Sequence, residues 1–186
     1  MIFREVEDRD LVLKAQQGRV EAYNVLVSRW EKRIYNYLLR LVRNPEDAMD
    51  VSQDVFLKAY QNLKRLEDAG RFGPWLYRIA HNEAFSLLRK AKPEVEVTEM
   101  TGIESGGGRR MVAIEVSIAV ESALGRLPEE QREAVLLKVI EGFKFEEIAE
   151  ILGSPASTIK SRVYTGLESL KGLLAPLNAE PREGQA

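Results

Sequence analysis

Apolar residues recur at helical spacing along most of the chain. Between Val20 and Val42, Tyr23, Val27, Trp30, Ile34, Tyr37, Leu38 and Leu41 follow an i, i+3, i+4 rhythm that predicts one long amphipathic helix. A short helix over residues 10–17 precedes it, with Leu11, Val12 and Ala15 inward, and Gly18 interrupts the two. Asn44-Pro45-Glu46-Asp47 combines a cap, a first-position proline and first-turn acids, so a helix starts there. It is expected to continue to about Leu66, with Ala48, Val51, Val55, Ala59 and Leu63 inward. Residues 67–74 are rich in Gly and Pro and read as a loop. The next helix, 74–90, has Leu76, Ile79, Ala80, Ala84 and Leu87 or Leu88 on its core side.

The rhythm then breaks. Residues 91–112 hold Pro93, scattered acids and Gly106-Gly107-Gly108, the composition of a flexible linker. Helicity returns near Ala113, with Ile114, Ile118, Val120 and Leu124, and restarts at Pro128 as a first-turn residue. Val135, Leu136, Val139 and Ile140 are expected inward and Lys138 off that face, with Gly142 ending the helix. Residues 145–174 read as two helices around a tight turn. The first carries Phe145, Ile148, Ala149, Ile151 and Leu152, and Gly153 ends it with positive φ. Ser154 suits the cap and Pro155 the first turn of the second helix, which would bury Ile159, Val163, Leu167, Leu170 and Leu174. No convincing strand or internal repeat is present. The expected fold is all-α: two small helical domains, 8–91 and 113–175, joined by a flexible linker at 92–112 and followed by a disordered tail at 176–186. The C-terminal domain is a helix-turn-helix.

Composition narrows the chemistry. The chain has no cysteine and one histidine, His81, which excludes disulfides, thiolate catalysis and Cys- or His-rich metal centres. Phosphate-binding glycine motifs and a GxSxG elbow are missing, and no cofactor, metal or catalytic constellation is indicated. No apolar run approaches the ~20 residues of a membrane helix, and the charged start is no signal peptide, so a cytoplasmic protein without membrane insertion is expected. Net charge is −2, but charge is distributed unevenly. Residues 1–91 hold sixteen Lys and Arg against thirteen Asp and Glu, and residues 113–186 hold eight against twelve. Within 154–174, Lys160, Arg162 and Lys171 face a single acid, Glu168, so positive charge is focused on the second helix of the turn.

Three surfaces are candidates for function. The second helix of the helix-turn-helix shows Ser157, Lys160, Ser161, Tyr164 and Glu168, with Arg162 and Thr165 at its margins, and its Lys, Arg and Ser are residue types that reach base edges and phosphates in a major groove. Arg71, Trp75, Arg78, Asn82, Phe85, Ser86 and Arg89 interleave rings with cations, as single-stranded nucleic acid requires, although each ring alone would also suit a core. Asp47, Asp50, Gln53 and Asp54 lie on a segment with more acids than capping needs, either a solvated face or a docking surface.

The succession NPEDAMDVSQDVFLKAYQNL, GRFGPWLYRIAHNEAFSLLRK and LGRLPEEQREAVLLKVIEGFKFEEIAEILGSPASTIKSRVYTGLESLK resembles the extracytoplasmic-function sigma factors of bacterial RNA polymerase, over about residues 8–175. The resemblance implies a non-enzymatic specificity subunit that directs core RNA polymerase to promoter DNA, in a stress or envelope response and under an anti-sigma factor. It implies that Asp47, Asp50, Gln53 and Asp54 dock on the polymerase. It also implies that Arg71, Trp75, Arg78, Asn82, Ser86 and Arg89 bind and melt the minus-ten element as single strand, with loop 67–74 holding a flipped base. Ser157, Thr158, Lys160, Ser161, Arg162, Tyr164 and Thr165 would read the minus-thirty-five element as duplex. Ser86, Ser154, Ser157 and Thr165 depart from the residues usual in the family and bear on which bases are read. The competing readings are a free-standing helix-turn-helix regulator, which leaves the 71–90 stripe unexplained, and an all-helical adaptor without a nucleic-acid role.

Overall fold

The computed structural model describes residues 6–90 and 108–175, the side chains of 108–115 excepted. These residues divide into two compact units, 6–90 with 146–154 and 108–145 with 155–175. All secondary structure among the described residues is helical, and no helix there is long and apolar enough to cross a membrane. Most of the expected linker, 91–107, and the tail from 176 onward lie outside the described residues.

The first unit is built on α1 (Asp8–Gln16), α2 (Val20–Val42), α3 (Pro45–Asn62) and α4 (Phe72–Lys90), with α2 packed against the other three. Helix α2 ends on Arg43 in the left-handed region at φ 59°, and its N–H donates to the Leu39 carbonyl at 2.9 Å. That turn delivers Asn44 to its capping role: its side-chain oxygen accepts the N–H groups of Glu46 at 2.8 Å and Asp47 at 3.1 Å. The core includes Leu26, Ile34, Tyr37, Leu38 and Leu41 of α2 with Phe72, Leu76 and Tyr77 of α4. Trp30 meets Phe72 edge-on at 6.0 Å and Tyr77 at 6.3 Å, and Tyr37 meets Tyr77 at 4.9 Å. The Asp8 carboxylate ties α1 to this cluster, accepting from Trp30 Nε1 and Arg29 Nη1, both at 2.8 Å. The Tyr23 hydroxyl donates to the Phe56 carbonyl at 2.6 Å, and burial pushes its phenol well above the usual value, so it remains a donor.

Several expectations shift here. Helix α1 begins at Asp8, not residue 10, and α3 gives way after Asn62 to a 3₁₀ turn, Leu63–Arg65, so the α-helix does not reach Leu66. Helix α4 opens two residues before Pro74, because a proline in the first turn removes an N–H that has no intrahelical acceptor anyway. Leu26, Phe72 and Tyr77 join the core, whereas Val27 and Trp30 are half-buried.

The second unit holds α5 (Gly108–Gly125), α6 (Glu129–Val135) and α8 (Ala156–Leu174), and α7 (Phe145–Leu152) leads into the turn before α8. Residues 108–112, read as linker, are helical, since neither Pro nor Gly interrupts the chain between Gly108 and Gly125. Ile118, expected on an apolar face, is exposed. Pro128 and Pro155 precede their helices as extended caps instead of entering the first turn. Ser154 does not cap α8: its N–H returns to the Ala149 carbonyl at 3.1 Å and closes the end of α7, with Gly153 at φ 60° making that closure possible.

The largest correction falls on Val139 and Ile140, which are exposed, while Leu137 is buried. Residues Leu136–Ile140 form a π-helical turn, and Glu141 N–H reaches back five residues to Leu136 at 3.0 Å. The wider turn rotates the chain out of the 3.6-residue register on which the expectation rested. On α8, Leu167 is 38% exposed, and its neighbour Gly166 is buried instead. A β-carbon on Gly166 would lie 2.8 Å from Val135 Cγ2 and 3.5 Å from Gln131 Cβ, so α6 approaches α8 where no side chain intervenes. Gly166→Val is therefore expected to destabilise this unit by about 1–3 kcal/mol. Thermal melting checks this; a midpoint equal to the parent's would mean the helix pair yields without cost.

Candidate nucleic-acid interface

On α8, the inward residues Ile159, Val163, Gly166 and Leu170 leave the other side of the helix to solvent. Ser157, Lys160, Ser161, Tyr164 and Thr165 are exposed, and Thr158 is half-buried. Arg162 is half-buried and held at 2.5 Å to Glu130 of α6. The Phe145 ring organises this surface, a role the sequence reading missed. Lys138 Nζ lies 4.6 Å and Lys160 Nζ 5.6 Å from its centroid, and the Tyr164 ring 6.2 Å away. Lys138 also donates to the Phe143 carbonyl at 3.1 Å. Two ammonium groups are thereby drawn to one ring beside the start of α8, which concentrates positive potential there.

Helix α4 turns Leu76, Tyr77, Ala80 and Ala84 into the core, and the opposite stripe follows from that anchoring. Arg78, Asn82 and Arg89 are exposed, and Trp75 and Ser86 are half-buried. Trp75 stands 6.0 Å from Phe72, so its ring is steadied from below. Arg71, at the head of the stripe, is ion-paired with Glu150 at 2.6 Å, a contact whose exposure limits its worth to well under ~1 kcal/mol. The loop before α4 is braced at both ends. Asp68 accepts the Gly70 N–H at 2.9 Å, and Gln16 of α1 donates to the carbonyls of Leu63 at 2.9 Å and Leu66 at 2.8 Å. No local pattern could have marked Gln16, because its partners are remote in sequence. Farther along α4, the rings of His81 and Phe85 lie 4.5 Å apart.

On α3, Asp50, Gln53 and Asp54 are exposed and Asp47 is half-buried. Met49, Leu57 and Tyr60 are exposed on the same helix, so its free surface mixes acids with apolar side chains. Lys58 pairs with Glu83 of α4 at 2.6 Å and bridges the two helices.

Residues 26–94 match the Sigma-70 region 2 family, and residues 117–170 match Sigma-70, region 4. The chain is 32% identical to the RNA polymerase sigma-H factor of Pseudomonas aeruginosa, covering 94% of this chain and 97% of that one. It is also 32% identical to the ECF RNA polymerase sigma-E factor of Escherichia coli strain K12, covering 93% and 97%. The chain belongs to the extracytoplasmic-function sigma factors of the sigma-70 family. Among solved structures, this sigma factor is similar to CnrH in complex with the cytosolic domain of CnrY, with a TM-score of 0.70, 26% identity and coverage of 91% of this chain and 97% of that one. The sigma factor RpoE in complex with the anti-sigma factor NepR from Bartonella quintana gives a TM-score of 0.70 at 25% identity, covering 82% and 96%. A sigma factor has no catalytic residues of its own; it is the subunit that directs RNA polymerase to promoters.

Proposed function

We propose that this sigma factor divides promoter recognition between its helices, acting in the cytoplasm on core RNA polymerase. Residues 8–91 carry docking and melting, and residues 113–175 carry duplex reading. Lys160, Ser161, Tyr164 and Thr165 of α8, with Ser157, Thr158 and Arg162 at its margin, read the minus-thirty-five element. Arg71, Trp75, Arg78, Asn82, Ser86 and Arg89 capture the unpaired minus-ten strand. The observation that supports this most is the α4 stripe. Exposed Arg78, Asn82 and Arg89 share a helix with half-buried Trp75, on the side opposite the buried Leu76, Tyr77, Ala80 and Ala84. A structural helix needs no such stripe, whereas stacking on single-stranded bases does. An anti-sigma protein is the expected regulator, as for the RpoE relative solved with NepR, and a stress or envelope signal the expected trigger.

The test is a native gel shift with purified bacterial core polymerase, with and without a promoter library. A complex that selects DNA with two separated blocks supports the reading. DNA binding without polymerase would replace it with a free-standing regulator. For docking, Asp50→Lys is expected to weaken core binding about tenfold, the scale of a reversed interfacial charge, because Asp50 is exposed and its loss leaves the fold intact. Core affinity by fluorescence anisotropy, beside an unchanged helical circular-dichroism spectrum, checks it; parental affinity would remove the acids of α3 from the docking surface.

A further inference from the structure

Helix α3 carries its exposed apolar residues in one line. Met49, Gln53 and Leu57 are four residues apart and Tyr60 follows three later, so the four stack along one face. That face lies away from Ala48, Val51, Val55 and Ala59, which fill the core. Exposed Asp50 and Asp54 run along its edge. Met49, at the head of the line, is 50% exposed. The chain has four methionines and no cysteine, and Met49 is the one whose side chain lies among the described residues. Without a thiol, the thioethers are the sulfur groups of this chain that two-electron oxidants can reach.

We propose that Met49 is an oxidation site that controls assembly with core polymerase. The oxidant is a peroxide, and the acids beside the sulfur favour uncharged hydrogen peroxide over an anionic oxidant. The Met49 sulfur gives an electron pair to one peroxide oxygen. An S–O bond forms as the O–O bond breaks, and the other oxygen leaves as water with both peroxide hydrogens. Sulfur is oxidised by two electrons and the peroxide is reduced by two. The apolar thioether becomes a polar sulfoxide. Docking then strips water from an oxygen that an apolar contact cannot hydrogen-bond, which lowers affinity. The free subunit exposes this sulfur and the docked one covers it, so oxidation acts on the unassembled subunit. The proposal rests on the reading of α3 as the docking surface.

The experiment treats the full chain with hydrogen peroxide, removes the oxidant with catalase and locates sulfoxide by peptide mass spectrometry. Core affinity then follows by fluorescence anisotropy. Affinity should fall about five- to a hundredfold in step with sulfoxide at Met49, with the helical circular-dichroism spectrum unchanged. Methionine sulfoxide reductases with dithiothreitol should restore it. Met49→Leu, which keeps an apolar side chain without sulfur, should show one affinity before and after peroxide. In assembled holoenzyme, Met49 should oxidise more slowly than in the free chain. Three results would overturn the site: Met49 resisting peroxide, undiminished affinity with Met49 fully oxidised, or a Met49→Leu variant as sensitive as the parent. If Asp50→Lys still weakens core binding in those cases, the docking surface stands. Equal oxidation of Met49 in free chain and holoenzyme, with Asp50→Lys binding normally, would remove both.

Discussion

Phe72→Ala is expected to destabilise the N-terminal unit by about 3–5 kcal/mol, the largest single effect expected for this chain. Phe72 is 1% exposed and opens α4, where its ring meets Trp30 and Trp75, each at 6.0 Å. Removing it leaves a void between α2 and the head of α4, and Trp30 has limited freedom to fill it. The Trp30 indole N–H is held by Asp8, and its ring lies so close to Gly73 that a β-carbon there would sit 2.8 Å from Cη2. A site that cannot collapse keeps its cavity, so the cost falls at the upper end of the range. Urea unfolding followed by tryptophan emission measures it. Phe72→Leu should lose less than about 1.5 kcal/mol. Equal losses for the two variants, or a loss below about 1 kcal/mol for alanine, would mean the cluster repacks and is not the rigid anchor described.

Asn82→Ala should reduce promoter opening by about five- to a hundredfold, the range of one lost base-edge contact, with core polymerase affinity unchanged. Asn82 is exposed on the middle of α4, so its removal creates no cavity and orphans no buried partner. Its amide offers both a donor and an acceptor to a base edge, which alanine cannot replace. Permanganate reactivity of unpaired thymines, compared with polymerase affinity, separates the two steps. Parallel loss of both would show that α4 serves docking as much as melting and would end the proposed division of labour.

Much of this architecture was legible because helices announce themselves locally. The bounds of α2 and the Asn44 cap follow from spacing and capping chemistry alone, and the solvent-facing side of α8 follows from where Ile159 and Val163 must point. The failures lie where backbone geometry or close packing departs from simple helical periodicity. Val139 and Ile140 carry a perfect helical rhythm but lie in a π turn, where the period is longer. Gly166 lets α6 pack directly against α8, a contact that spacing does not announce. At the candidate site, the stripe from Trp75 to Arg89 is visible as a periodicity, but the packing of the His81 and Phe85 rings is not. It depends on the relative tilt of two rings, which spacing does not encode. Arg162 shows the same limit: its position suits a groove, but its guanidinium is shared with Glu130.

The Gln16 amide has a consequence for genetics. It braces the start of the loop ahead of α4 from a helix 47 residues away in sequence. Alleles that impair strand separation should therefore not map to α4 and α8 alone. A screen for such defects should also return substitutions in the first helix, among them Gln16→Leu, in a segment outside the proposed DNA-binding surfaces. Their defects should be relieved on promoter templates that carry a pre-opened mismatch bubble.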